Sequence, residues 1–285
     1  MKVIVRKFIP KKLLLFKSKI KEYLYWRSIA KNLKDKILDE YRDCDSADLP
    51  VGYDEIINYI SQYPLQIMCY GFVKNYNYSD IKVYVDKSSN LKYTIYDDKK
   101  LYFKRSWSSK KIKKYHNYLL VEQDKKSPHK YLDNTFNVYE NDIVVDAGAA
   151  EGIFSISIIE KVSKLYLFEP DSEWVEALTE TFRPWKHKVE ISSLFLGDVN
   201  NDFTTTVDTY FKEKPIIDFI KIDVEGHEAL VLLGAKSTVL VNKNLKMAVC
   251  TYHKQNDEIL LRNMLNERGF SVEYSQGYVV FFYDI

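Results

Sequence analysis

Cysteine is scarce in this chain: Cys44, Cys69 and Cys250 are the only three in 285 residues. They stand far apart and odd in number. That pattern excludes a disulfide framework and a metal knuckle, and it points to a reducing compartment. No apolar run approaches the ~20 residues of a membrane span. The stretch Leu13 to Phe16 is too short for a secretory core, and lysines flank it on both sides. No internal repeat and no low-complexity segment occurs. There is no Gly-Lys-Ser/Thr step, so a phosphate-cradling loop is excluded. The glycines of a hydride-cofactor turn are also missing: Gly148 is present, but Ala150 and Ile153 stand at the other two positions.

The rest is the composition of a globular protein with one large or two smaller domains, 46% hydrophobic and 29% charged. The net charge is only +2, yet residues 1–36 hold twelve Lys or Arg against Glu22 and Asp35. Leu13, Phe16, Ile20, Tyr23 and Leu24 fall near helical spacing there. The bland expectation is a solvated helical arm with one face on the body. The sharper one is a peripheral anchor on an anionic membrane surface, or a dock for a polyanionic glycan or glycan-assembly partner. Specific nucleic-acid binding is not expected, since no nucleic-acid module accompanies the basic arm.

Three regions follow from the pattern: the arm over 1–42, a small α+β domain over 43–130, and an α/β domain over 131–285. Asp43 to Tyr53 reads as a linker. Alternating apolar residues over 81–105 predict a small antiparallel sheet, and 110–123 a helix. From 143 onward strands are expected at 143–147, 165–169, 189–196, 217–223, 246–252, 271–275 and 278–283. Helices fill the gaps at 152–162, 172–182, 227–234 (extending to about 240) and 256–268. Such alternation gives a parallel sheet with right-handed crossovers. Gln276-Gly277 makes the last two strands a hairpin, so one strand is antiparallel.

The most informative stretch runs Ile143-Val-Val-Asp-Ala-Gly-Ala-Ala-Glu-Gly152. An apolar strand ends at Asp146, tiny residues turn the chain, and a helical pattern starts at once. A ligand can lie against such a bare turn, facing the free N–H groups of a helix start. Glu169 ends the next apolar stretch, where an acid can accept both ribose hydroxyls. Asp146 is placed to meet a cationic ligand group or to brace the turn. Asp198 could contact a base from the third strand, and Trp174 or Trp185 could stack on it, although core packing suits the tryptophans better. Asp171 or Ser172 reads as a helix cap, and Glu228 and His227 as surface helix residues. The polar stretch from Glu122 to Tyr131 is a candidate gate, with His129 and Lys130 able to hold an acidic sugar or phosphate.

The runs Val144-Val-Asp-Ala-Gly-Ala-Ala-Glu-Gly152, Leu167-Phe-Glu-Pro-Asp171 and Phe219-Ile-Lys-Ile-Asp-Val-Glu-Gly-His-Glu228 together resemble the FkbM family of S-adenosylmethionine-dependent O-methyltransferases. The resemblance covers residues 130 to 285. It implies a Rossmann-like class I methyltransferase fold, a seven-stranded sheet with six parallel strands and one antiparallel. It implies S-adenosylmethionine against Asp146, Gly148, Ala150, Glu151, Gly152, Glu169 and Asp198, and a sugar or glycoconjugate hydroxyl as acceptor. One departure is Ala150, where the family often has Asn.

Asp223, Glu225 and His253 fall at or just after strand ends and are the expected catalytic groups. Two mechanisms fit them: Glu225 or His253 acts as general base, or Asp223, Glu225 and His253 hold a divalent metal, as magnesium is held in related sugar O-methyltransferases. A cytoplasmic enzyme, peripheral to the inner membrane face through its basic arm, is the resulting expectation. The alternatives are a non-catalytic glycan-binding or scaffold protein on the same fold, and an N-methyltransferase. The latter suits an Asn/Asp-Pro-Pro-Tyr/Phe motif, whereas this chain has Asp223-Val-Glu-Gly.

Overall fold

The computed structural model describes residues 28–42, 53–66, 68–241, 244–254, 256–268, 270–274 and 279–284. The expectations for residues 1–27, for most of the 43–53 linker and for the Gln276-Gly277 turn lie outside the described residues. The chain divides into two compact units, residues 1–75 and 76–285. In the first, a helix over 28–40 (α1) and helix α2 (Tyr53–Gln62) enclose Tyr59, Ile60 and Cys69, with Ile37, Leu38 and Ile56 packed around them. Lys34 Nζ donates to the Tyr63 carbonyl at 2.9 Å, tying one helix to the end of the other.

The second unit begins with a three-stranded antiparallel sheet, β1 (Tyr84–Val85), β2 (Lys92–Tyr96) and β3 (Lys99–Tyr102). Helix α3 (Ser109–Glu122) follows, capped by the Ser108 hydroxyl. The alternation over 81–105 thus forms the expected hairpins. The boundary between the two compact units falls at 75/76. The small sheet is packed into the larger one: Tyr102 N donates to Thr181 Oγ1 at 3.0 Å, and Leu101, Tyr102 and Phe103 join the main core.

The remaining chain runs β4 (Ile143–Ala147), α4 (Ile153–Ile158), β5 (Lys164–Phe168), α5 (Ser172–Thr181), β6 (Val189–Ser192), β7 (Phe195–Leu196), β8 (Thr204–Thr205), α6 (Val207–Tyr210), β9 (Phe219–Ile222), α7 (Glu228–Leu233), α8 (Lys236–Val241), β10 (Lys246–Cys250), α9 (Asp257–Asn266), β11 (Phe270–Tyr274) and β12 (Val279–Asp284). The large sheet has the order β11-β12-β10-β9-β4-β5-β6, in which β12 alone runs against its neighbours.

The central strands are apolar without interruption because both of their faces are covered. Alternate residues take opposite faces. Val144, Leu165, Leu167, Phe219 and Ala248 pack with residues of α3, α4 and α5. Val145, Tyr166, Ile220, Met247 and Val249 pack with residues of α6, α7, α8 and α9. Two expected elements are divided. The strand over 189–196 breaks after Ser192, and its end pairs instead with β8. The helix over 227–234 does not extend unbroken to about 240 but is interrupted at Gly234-Ala235. There a Cβ on Gly234 would lie 1.9 Å from the Gly197 carbonyl oxygen, so the close approach of two backbones fixes the break. Among the described residues no helix is long and apolar enough to cross a membrane.

Candidate active site

A cavity of about 900 Å³ opens at the carboxyl ends of β4, β5, β9 and β10, where ligands bind in open α/β sheets. Its first wall is the turn after β4, Gly148 to Glu151. Gly148 N and Ala149 N donate to the Phe168 carbonyl at 3.0 and 3.1 Å, fastening this turn to the end of β5. Ala150 has φ +46°, a left-handed conformation that Asn adopts more readily than Ala. The turn therefore keeps the shape that an Asn would favour, with a methyl group in place of its amide.

Glu169 lies at the next strand end, 7% exposed. Its Oε2 accepts from Ala150 N and its Oε1 from Asp171 N, both at 2.9 Å. Burial raises its pKa, partly offset by these two N–H groups. No cation lies within ion-pair distance of it among the described residues. A buried carboxylate facing a cavity with spare lone pairs and no counter-ion suits hydroxyl donors. Asp171 caps α5, accepting from Glu173 N and Trp174 N. Trp174 lines the cavity while packed in the core, Trp185 packs against that core without reaching the cavity, and Asp198 lines the cavity as an exposed loop acid.

Two residues expected to hold the cofactor do not line this cavity. Asp146 is fully buried beneath it: Oδ2 accepts from Ser155 Oγ at 2.6 Å, and Oδ1 pairs with Lys221 Nζ at 3.0 Å. The pairing follows from register, because Asp146 and Lys221 are directly opposed on β4 and β9. Lys221 Nζ also donates to the Gly148 carbonyl at 2.6 Å. Burial opposes the lysine charge, but Asp146 and Asp223 outweigh it and hold its pKa above the ordinary value. Asp146 thus braces the turn through Lys221. Gly152 faces the core at φ +84°, with Leu178 and Phe182 closing on it.

The opposite wall comes from β9 and β10. Asp223 Oδ2 accepts from Tyr131 OH at 2.6 Å, and Oδ1 lies 3.4 Å from His253 Nε2. Burial would raise the Asp223 pKa, but Lys221, Tyr131 and the two histidines beside it lower it. Glu225 has φ +53° and Gly226 φ +91°. This left-handed pair turns the Glu225 side chain outward, 92% exposed, with Oε2 3.7 Å from His253 Nε2.

Glu228 replaces it inside. Expected on the surface, it is 1% exposed, and its Oε1 lies 2.8 Å from His253 Nδ1. His227 is exposed as expected. His129 is buried, with Nε2 2.8 Å from Tyr252 OH, and Lys130 Nζ donates to the Lys125 carbonyl, so the pair does not form the expected anion clamp.

The metal-ligand geometry differs from expectation as well. Among the described residues two clusters bring three ligand atoms within 4.8 Å of one another, His129–Asp223–Cys250 and Asp223–Glu228–His253. Magnesium takes oxygen ligands in near-octahedral array. Each cluster includes an imidazole nitrogen. In the second, Glu228 Oε1 already accepts from Val224 N and Gly226 N. Glu225, the remaining acid of the expected trio, points to solvent. This donor set does not suit magnesium.

Two further acids line the cavity. Burial raises the Glu151 carboxyl to about 7, against a hydrogen bond from Tyr115 OH at 2.8 Å. Glu122 is pushed up to about 8 by burial and by the charges of Glu151 and Asp223. Unfolded carboxyls titrate near ~4.3. Above that pH the folded protein holds protons that the unfolded chain has released, so stability falls as pH rises toward those values. Glu122→Gln is expected to flatten the decline of Tm between about pH 4.5 and 8. An unchanged slope would count against the buried, protonated acid.

The cavity belongs to a Rossmann-like α/β fold and lies beside a cluster of acids and histidines. The sequence profile of the Methyltransferase FkbM domain matches residues 102–272, and the chain belongs to that family. No curated protein matches it. Among solved structures it is similar to the FkbM methyltransferase of Methylobacillus flagellatus KT, with 20% identity, 61% of this chain covered and a TM-score of 0.49. The chain spans about half, 53%, of the length of that relative. It is also similar to precorrin-6y C5,15-methyltransferase of Geobacter metallireducens GS-15, with 10% identity, 52% of this chain and 83% of that one covered, and a TM-score of 0.41. A putative methyltransferase of Streptococcus mutans, solved in complex with SAH, has 13% identity, covers 52% and 91% of the two chains, and has a TM-score of 0.40.

Proposed function

We propose that this protein transfers a methyl group from S-adenosylmethionine to a hydroxyl of a sugar or glycoconjugate. The observation that carries the reading is convergence. A side-chain-poor turn, the buried Glu169 and the Asp223–His253 pair all line one cavity of about 900 Å³. When bound, S-adenosylmethionine supplies an electrophilic methyl on its sulfonium. Glu169 accepts the ribose hydroxyls, and the Gly148–Glu151 backbone lies against the cofactor. His253 Nε2 receives the hydroxyl proton of the acceptor as its oxygen takes the methyl group. Asp223, kept ionised by Lys221, stabilises the imidazolium that results.

Support for an anionic glycoconjugate comes from a second, shallower groove. Lys110, Lys111 and Lys114 line it together with Tyr115 and Tyr118, which also line the main cavity. None of these three lysines pairs with an acid among the described residues. In the same proposal, the basic residues 1–36 bring the enzyme to an anionic membrane surface or a glycan-assembly partner.

The test is calorimetric titration with S-adenosylmethionine. Binding is expected for the wild-type protein, and Glu169→Ala should weaken it by about 1.5–3 kcal/mol, the worth of a hydrogen bond to a charged group. A folded protein that releases no heat with the cofactor would replace this reading with a non-catalytic scaffold. Screening of sugar acceptors with and without magnesium, read as S-adenosylhomocysteine formed, then tests turnover.

A further inference from the structure

His253 presents two nitrogens, and they face different surroundings. Nε2 looks into the cavity, with Asp223 Oδ1 at 3.4 Å and Glu225 Oε2 at 3.7 Å. Nδ1 looks into the protein, with Glu228 Oε1 at 2.8 Å. The Glu228 carboxylate is itself fixed. The segment between β9 and α7 winds around it through the left-handed Glu225 and Gly226. Val224 N and Gly226 N then both donate to Oε1, at 3.1 and 3.2 Å. On the other side, Lys254 Nζ donates to the Gly226 carbonyl, and Lys254 N donates to Asp257 Oδ2 at 2.7 Å. The segments that carry the acid and the imidazole are thereby tied together.

We propose that Glu228 is the positioning residue of the active site: it holds the His253 ring with Nδ1 turned inward and Nε2 presented to the acceptor. The inference rests on His253 acting as the base in the reading above. Glu228 Oε1 stands at ion-pair distance from Nδ1, nearer than either carboxylate is to Nε2; a carboxylate accepts and does not donate, so in the neutral ring the closer acid favours the proton on Nδ1. With the proton fixed on Nδ1, the lone pair of the neutral ring is on Nε2, the nitrogen in the cavity. Burial opposes the charge of Glu228, but His253 and the backbone N–H groups outweigh it and lower its pKa. Burial also opposes a charged His253. Glu228, Asp223 and Glu225 outweigh that and raise its pKa. The Tyr252 ring, 4.3 Å from the imidazole, and His129 across Asp223 complete its surroundings.

Nitrogen-15 NMR of histidine-labelled full-length protein tests the arrangement without knowledge of the acceptor. The chain has five histidines, so His253→Gln assigns the signal. In the wild type, neutral His253 is expected to carry its proton on Nδ1. Glu228→Gln keeps the shape and can still accept from Nδ1, but it removes the charge. Its His253 pKa should fall by about one unit or more, while affinity for S-adenosylmethionine stays within about twofold. Glu228→Ala should leave a mixture of both tautomers.

Once an acceptor is known, Glu228→Gln should lower kcat and shift the acid limb of its pH profile downward, with little change in the cofactor KM. A wild-type proton on Nε2, or a His253 pKa that does not move in Glu228→Gln, overturns the proposal. The wild-type tautomer needs no variant, so a variant that fails to fold leaves the test intact. A wild-type protein that shows the expected tautomer but binds no S-adenosylmethionine overturns the methyltransferase reading and leaves the positioning of His253 standing.

Discussion

Lys221→Met is expected to cost about 3–5 kcal/mol of stability, the loss typical when one partner of a buried ion pair is removed. The ammonium is 4% exposed and the carboxylate it faces is fully buried. Methionine fills much of the lysine volume, so the loss isolates the charge and not a void. Two groups are left uncompensated. Asp146 keeps only its Ser155 hydrogen bond, and the Gly148 carbonyl loses its donor. For a protein of this size the change corresponds to a fall in Tm of about 6–20 °C.

The double variant Lys221→Met/Asp146→Asn removes the stranded charge and should be more stable than Lys221→Met alone. A double-mutant cycle read by chemical denaturation then reports a coupling energy well above the ~0.5 kcal/mol scatter of independent sites. Additive losses would show that the two charges do not depend on each other. The pair also has a functional side. Lys221 joins Asp146, the Gly148 carbonyl and the field at Asp223, so Lys221→Met should weaken the cofactor site even at temperatures where the protein remains folded.

The central strands were legible because they are buried on both faces. Val144-Val145, Leu165 to Phe168 and Met247 to Cys250 read as unbroken apolar runs, and the tiny residues between Asp146 and Gly152 announced the turn. Glu169 stood out because it ends such a run. What could not be read was set by register and by backbone conformation. Nothing in Phe219-Ile-Lys-Ile222 says that Lys221 will meet Asp146, since that follows from how β9 lies beside β4.

The choice between Glu225 and Glu228 was hidden in the same way. Three residues apart, either acid could have faced His253, and the left-handed turn at Glu225-Gly226 sends one outward and the other in. A buried acid in Glu228-Ala-Leu-Val-Leu-Leu233 looks like the polar edge of an amphipathic helix until its partner arrives from β10. Tyr131 and His129 sit in a stretch so rich in charge that it reads as a surface loop. Yet both are buried against the end of the sheet, where Tyr131 orients Asp223. The packing of the small sheet was hidden for a related reason. The small sheet has its own alternating pattern, but its apolar face is covered by α5, so it has no separate core.

Gly148→Ala is expected to destabilise the protein by about 3 kcal/mol or more, combining a positive-φ penalty with an overpacking cost. Its φ is +77°, and a Cβ there would stand 1.9 Å from the Asp223 carbonyl oxygen and 3.0 Å from the carbonyl carbon. Both atoms are backbone, and Asp223 N donates to the Ala147 carbonyl at 3.1 Å from the same place. The clash can be relieved only by parting the turn after β4 from the end of β9.

That junction joins the two halves of the site. In the proposed reading the Gly148 turn lies against the cofactor, and Asp223 faces His253, so one methyl group should weaken cofactor binding and displace Asp223 together. Gly152→Ala provides the contrast. Its φ is also positive, +84°, but the atoms that would meet its Cβ are the side chains of Leu178 and Phe182, each at 2.9 Å. Side chains in a core can shift by a few tenths of an ångström where a strand end cannot. Gly152→Ala should therefore cost less, about 1–3 kcal/mol, and should leave affinity for S-adenosylmethionine within a few-fold of wild type once the protein is folded. Denaturation midpoints and cofactor titrations of the two variants measure the difference. A Gly148→Ala protein as stable as Gly152→Ala and equally able to bind the cofactor would mean that the two turns are not held in contact, and that the cavity does not depend on their approach.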